Sequence, residues 1–331
     1  MMMNLSSLLF LSTLIMGTLI TISAKSWIIM WIGLEINLLS FIPMMNKNKT
    51  PFESESSIKY FMTQAMASML LLMTILITEM MTMNSEWISM LMLSALFIKM
   101  GAPPFHFWFP AVMQGLSWMN CMLLMTWQKI APMVMMGYQL WMGMFSNSII
   151  LMSVIVGAIG GFNQTSIRKL LAYSSISHLG WMITAMMMGT WYWTMYFVMY
   201  TLLNIAVVII MNSNSMYYLP QVFSFKMNSN VKFMLFMSML SLGGLPPFLG
   251  FLPKWMIIQN SMGMENSFII IMMVMTTMIT LYFYLRMTYS AFTINNQMPY
   301  WLMESKNKSV MYMSMIISLM SIPLITMINL Y

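Results

Sequence analysis

Aspartate does not occur in this chain of 331 residues, and glutamate occurs only seven times. Charged residues of either sign make up 6% of the sequence, where a water-soluble domain carries roughly 25%. So few charges cannot cover a water-exposed surface. Cysteine occurs once, as Cys121 inside an apolar run, which excludes a disulfide framework, a cysteine metal site and an iron–sulfur centre. Dinucleotide binding finds no support either. Gly157-Ala158-Ile159-Gly160-Gly161 is glycine-rich, but it lies inside an apolar run and follows no strand pattern. No metal constellation and no nucleophile triad appears. The net charge of +7 does not point to nucleic acid, because the basic residues sit in short loops between apolar stretches.

What remains is 60% apolar and reads as an all-α, polytopic membrane protein. Runs of about 20 apolar residues cross roughly 30 Å of hydrocarbon as helix, whereas barrel strands would alternate and be about half as long. Eleven such segments are expected: 5–23, 26–45, 57–81, 87–109, 116–139, 146–164, 168–188, 191–212, 232–262, 266–288 and 310–330. The first starts without a basic n-region and is followed by no small-residue cleavage site, so it is expected to be a retained helix. Methionine supplies 54 residues, more than adaptable packing needs. Animal mitochondrial genomes read an isoleucine codon as methionine, and the richness is associated with that coding.

Charge placement supports the segment count. Lys47, Lys49, Lys59, Arg168, Lys169, Lys226, Lys232, Lys306 and Lys308 all fall on the N-terminal side of the membrane, and Lys25 alone falls opposite. A wrong number of crossings would scramble this split. The positive-inside rule places the N-terminus on the cytoplasm-like face, and eleven crossings place the C-terminus on the other.

One short motif occurs twice. Gly101-Ala102-Pro103-Pro104-Phe105 lies in the fourth segment and Gly244-Leu245-Pro246-Pro247-Phe248 in the ninth, 143 residues later. Pro-Pro removes two backbone donors and breaks a helix, so segments 4 and 9 are expected to be discontinuous. The two copies are an odd number of crossings apart and therefore run in opposite directions. This reads as an inverted repeat of five helices: residues 1–140, then 141–290, with a loop and an eleventh helix in 291–331. Glu35 and His178 share the offset of 143, whereas the position 143 after Lys129 is Met272, so the halves carry different charges.

Ionisable groups near the middle of membrane helices cost about 2.5–3.5 kcal/mol each on insertion scales and persist when paired, wet or functional. Glu35, Lys99 and Lys129 lie near segment midpoints, and Lys254 follows the second break. Glu35 is either glue between helices or a carboxylate that sets the proton affinity of Lys99. Lysine suits proton transfer because its proton affinity can be tuned, which arginine's cannot. Snorkelling does not explain Lys129, which is too far from either segment end. His106 and His178 are open to two readings, relay groups or satisfied interhelical hydrogen bonders. Arg168, Lys169 and Arg286 read as topology determinants, and Glu53, Glu55, Glu79, Glu86, Glu265 and Glu304 as solvated.

Several of these stretches coincide with a known pattern: Trp31-Ile32-Gly33-Leu34-Glu35-Ile36-Asn37, Lys99-Met100-Gly101-Ala102-Pro103-Pro104-Phe105-His106-Phe107-Trp108, Thr126-Trp127-Gln128-Lys129-Ile130-Ala131-Pro132, Asn163-Gln164-Thr165 before Arg168-Lys169, Ala172-Tyr173-Ser174-Ser175-Ile176-Ser177-His178-Leu179-Gly180-Trp181, and Gly243-Gly244-Leu245-Pro246-Pro247-Phe248 before Pro253-Lys254-Trp255. In these residues the chain resembles membrane subunit 2 of mitochondrial NADH:ubiquinone oxidoreductase, respiratory complex I, of arthropod type. The resemblance spans about residues 26–290. It implies a subunit similar to cation/proton antiporters, with Glu35, Lys99, Lys129, Lys254, His178 and His106 as a proton relay. Gly101, Pro103, Pro104, Gly244, Pro246 and Pro247 would form the helix breaks. It implies no cofactor on this chain, with NADH, FMN, iron–sulfur clusters and ubiquinone handled elsewhere in the complex. Implied partners are neighbouring antiporter-like and small core membrane subunits and phospholipids such as cardiolipin, with no nucleic acid. The implied place is the mitochondrial inner membrane, N-terminus in the matrix and C-terminus in the intermembrane space. Two rival functions stay open: a structural subunit whose buried charges hold helices together, and a stand-alone antiporter.

Overall fold

The structure is a computed structural model that describes residues 5–47, 49–80, 86–140, 143–224, 229–261 and 267–293, with backbone alone at 223–224, 229–232 and 290–293. The expected segment 310–330, almost all of the third region 291–331, and Lys226, Lys306, Lys308, Glu265 and Glu304 lie outside these residues.

The described residues form fourteen helices: α1 (Leu5–Ser23), α2 (Trp27–Met45), α3 (Pro51–Met80), α4 (Glu86–Met100), α5 (Trp108–Gly115), α6 (Trp118–Met125), α7 (Trp127–Gln139), α8 (Met144–Phe162), α9 (Ile167–Met188), α10 (Thr190–Ser213), α11 (Leu219–Ser224), α12 (Ser229–Gly243), α13 (Phe251–Ser261) and α14 (Ser267–Thr293). Six are long and apolar enough to cross a membrane unbroken: α1, α2, α3, α8, α10 and α14. The chain divides into two compact units, Met1–Ile149 and Ile150–Tyr331.

Both Pro-Pro motifs follow a glycine that ends a helix. Gly101 ends α4 at φ +73° and Gly244 ends α12 at φ +85°, a left-handed conformation that glycine adopts without a side-chain clash. Around each glycine the amides fold back as a Schellman motif. Gly101 donates to the Ile98 carbonyl and Ala102 to that of Phe97. Gly244 donates to the Ser241 carbonyl and Leu245 to that of Leu240. The two prolines then sit at the centre of a turn, closed by Phe105 donating to Ala102 at 3.0 Å and by Phe248 donating to Leu245 at 2.9 Å. Helix resumes at α5 and α13. The broken element of the first unit thus runs past the expected end at 109, to Gly115.

A third interruption was not expected. The fifth segment is split at Thr126 into α6 and α7, and Pro132 lies inside α7. Proline has no N–H, so the Gln128 carbonyl loses its helical donor one residue before Lys129.

Small residues set the helix spacing, as expected where lipid gives no hydrophobic drive to association. Gly17 of α1 and Gly33 of α2 pack face to face, and a methyl group on Gly33 would lie 2.8 Å from the Gly17 carbonyl. That contact holds α2 two residues before Glu35. In the second unit Gly157 and Gly160 of α8 pack against Ser177 and Tyr173 of α9, so the glycine-rich stretch is a packing surface. Glu53, read as solvated, is instead buried in the first turn of α3. Arg168 lies half-buried with its guanidinium 4.7 Å from the Tyr217 ring centre.

Gly250 makes the tightest approach, since an added Cβ would lie 1.8 Å from the Ser241 carbonyl. Gly250→Ala is expected to abolish accumulation of the subunit, read by native gel and immunoblot. Gly243→Ala, whose methyl group would meet nothing nearer than 3.6 Å, is expected to accumulate normally.

Candidate functional site

In the first unit the helix break delivers Lys99 to the interior as the penultimate residue of α4. Its ammonium lies 3.8 Å from Oε1 of Glu35 on α2, with side-chain exposures of 3% and 25%. This is an ion pair without a hydrogen bond, because 3.8 Å is too long for one. Oε1 of Glu35 makes no hydrogen bond among the described residues. The Lys99 carbonyl, released by the break, accepts from Nε2 of Gln64 on α3 at 3.1 Å. The neighbouring Ile98 carbonyl accepts from the Trp108 indole at 3.1 Å.

Next to this pair lies a cavity of about 20 Å³, enough for roughly one water molecule. Its polar lining is Asn37, Tyr60, Gln64, Lys99, Gln128 and Lys129. Gln128 donates to Oδ1 of Asn37 at 2.9 Å and accepts from the Tyr60 hydroxyl at 3.4 Å. The amides of α2 and α7 and a phenol of α3 therefore join three helices around the space between the two lysines. Lys129 is almost fully buried, with its Nζ 5.4 Å from the Phe109 ring centre. His106 is buried in the break but does not line this cavity. Its ring lies 4.2 Å from that of Phe107.

In the second unit His178 sits mid-way along α9, buried, with Nδ1 2.8 Å from the Tyr196 hydroxyl of α10. The Tyr200 ring centre lies 5.1 Å from the imidazole. Lys254 follows the second break, is buried, and donates from Nζ to the Gly243 carbonyl at 2.9 Å. Of the residues expected from sequence, Glu35, Lys99 and Lys129 are brought to one place. His178 and Lys254 each acquire a partner of their own, and His106 stays apart from the cavity. Gln64, Gln128, Asn37, Tyr60 and Tyr196 were not anticipated. Only Pro132, which disturbs the helix around Gln128, offered a signal for any of them.

A family model for the transmembrane part of NADH:quinone oxidoreductase and Mrp antiporter subunits matches residues 24–280. NADH-ubiquinone oxidoreductase chain 2 of Anopheles gambiae is 50% identical over 336 residues, covering 99% of this chain and 98% of that one. This chain belongs to the NADH-ubiquinone oxidoreductase chain 2 family. The chain 2 of Canis lupus familiaris is 39% identical, with 97% of both chains covered. A chain in the structure of respiratory complex I from Thermus thermophilus with bound aureothin superposes with TM-score 0.85 at 21% identity, covering 98% of this chain and 79% of that chain. A chain of the Mrp complex from Dietzia sp. gives TM-score 0.77 at 16% identity, covering 90% and 62%. The last two establish a common fold.

Gln64→Leu leaves the Lys99 carbonyl buried without its donor, a loss of about 1–3 kcal/mol. It is expected to lower the temperature at which the detergent-solubilised subunit unfolds, measured against wild type by thermal-shift assay.

Proposed function

We propose that this chain is an antiporter-like membrane subunit of NADH:ubiquinone oxidoreductase in the mitochondrial inner membrane, and that its buried lysines move protons while the redox reaction runs on other subunits. Membership of the chain 2 family supports the role in the complex. The whole complexes among its structural likenesses support other membrane subunits as partners. Phospholipids would fill the remaining apolar surface. The nine-to-one division of basic residues supports the N-terminus in the matrix and the C-terminus in the intermembrane space. We read the two halves, 1–140 and 141–290, as inverted repeats, with 291–331 appended.

The observation that carries the relay is the loose Glu35–Lys99 pair beside a polar cavity shared with Lys129. While Glu35 stays close, its charge holds the proton on Lys99. When the pair opens, Lys99 loses that stabilisation, and its proton can cross one water to a neutral Lys129 amine. Proton number is conserved: Lys99 becomes an amine and Lys129 an ammonium. In the second unit His178 and Lys254 would pass protons onward. The path does not need His106. A partly structural role for Lys254 is favoured by its bond to the Gly243 carbonyl.

Replacing Lys129 by methionine tests the relay. Proton pumping and coupled NADH oxidation are expected to fall about tenfold or more in an assembled complex. Unchanged pumping overturns the relay, and loss of assembly favours buried charges as interhelical glue. Lys129→Arg separates the two further. Arginine keeps the charge but holds its proton, so the relay reading expects impaired pumping and the glue reading near-normal function.

A further inference from the structure

We infer that Tyr196 is a positioning residue for proton transfer at His178, holding Nδ1 so that protons exchange at Nε2. The inference rests on the reading of His178 as a relay group.

The two residues come from consecutive helices of the second unit, α9 and α10, which turn back on each other at Gly189. Their polar atoms meet at 2.8 Å. Both are buried, with 7% of His178 and 1% of Tyr196 exposed, so bulk water does not compete for the contact. Tyr200, one turn along α10, packs its ring against the imidazole, and its hydroxyl is in hydrogen-bonding reach of Asn204 and Ser175. Tyr196, Tyr200 and Asn204 recur at every fourth residue and share one face of α10. Ser175 and His178, three apart, share the opposing face of α9.

A histidine relays a proton only when its two nitrogens take different roles, and the partner on one fixes the role of the other. With Nδ1–H donated to the phenol oxygen, the neutral ring keeps a bare Nε2 and the cation carries its second proton there, so the contact survives both charge states while protons exchange at Nε2. Without the hydroxyl, Nδ1 is no longer held in place. A misplacement of this kind slows transfer without unmaking the fold, because phenylalanine keeps the ring and its packing.

The test uses the assembled complex in inner-membrane vesicles with Tyr196→Phe, His178→Gln and the double variant. Assembly, NADH-driven proton pumping and the solvent deuterium isotope effect on turnover are measured. Tyr196→Phe is expected to assemble normally, to slow pumping about tenfold, and to raise the isotope effect as proton transfer becomes limiting. The double variant is expected to be no slower than His178→Gln, since the hydroxyl acts only through the histidine. Wild-type pumping and isotope effect in Tyr196→Phe, beside a slow His178→Gln, overturns the inference and leaves the relay standing. Slowing that adds to that of His178→Gln also overturns it, as does failure of Tyr196→Phe to assemble. Normal pumping by His178→Gln removes His178 from the relay, and the inference falls with it.

Discussion

A backbone carbonyl released inside a bilayer has no water to bond, and the two Pro-Pro breaks of this chain release several. The fold answers within itself. At the first break the Schellman amides, the Trp108 indole and the Gln64 amide take the carbonyls of Phe97, Ile98 and Lys99. At the second the Schellman amides take those of Leu240 and Ser241, and the Lys254 ammonium takes that of Gly243. Breaks of the same sequence pattern thus employ their lysines differently. A neutral glutamine does the capping at the first, which leaves Lys99 free to face Glu35.

That division of labour shapes the site around Lys99. A close, hydrogen-bonded carboxylate would add roughly 1.5–3 kcal/mol over bare attraction. At 3.8 Å the pair forgoes that gain and keeps only its Coulombic part, so less work is needed to separate it. The Glu35 side chain is one-quarter exposed, although the Oε1 that faces Lys99 is buried, while Lys99 is sealed within. Movement of Glu35 away from Lys99 is the natural way to change the field at the buried ammonium.

The elements legible in the sequence were those that leave a covalent or energetic mark. Proline cannot donate, so Pro103-Pro104 and Pro246-Pro247 announced both breaks, and a charge inside an apolar run announced Glu35, Lys99, Lys129 and Lys254. The split at Thr126 was not legible, because neither glycine nor proline sits there and Pro132 acts from a distance along α7. Gln64, Gln128, Asn37 and Tyr60 escaped notice because neutral polar groups in a membrane helix are cheap enough to be common. Their importance comes from which helices meet, a tertiary fact. The same holds for Glu53, whose place near a loop suggested water but whose helix turns it inward.

The bond from Lys254 to the Gly243 carbonyl has one more consequence. An ammonium carries three N–H groups and the neutral amine still carries two. Lys254 can therefore surrender a proton and go on clasping the end of α12 with one that remains. A carboxylate or an imidazole nitrogen would have to exchange donor for acceptor and let the carbonyl go. The amine makes this fastening indifferent to electrical state, so the proton can come and go while the backbone beneath it holds still.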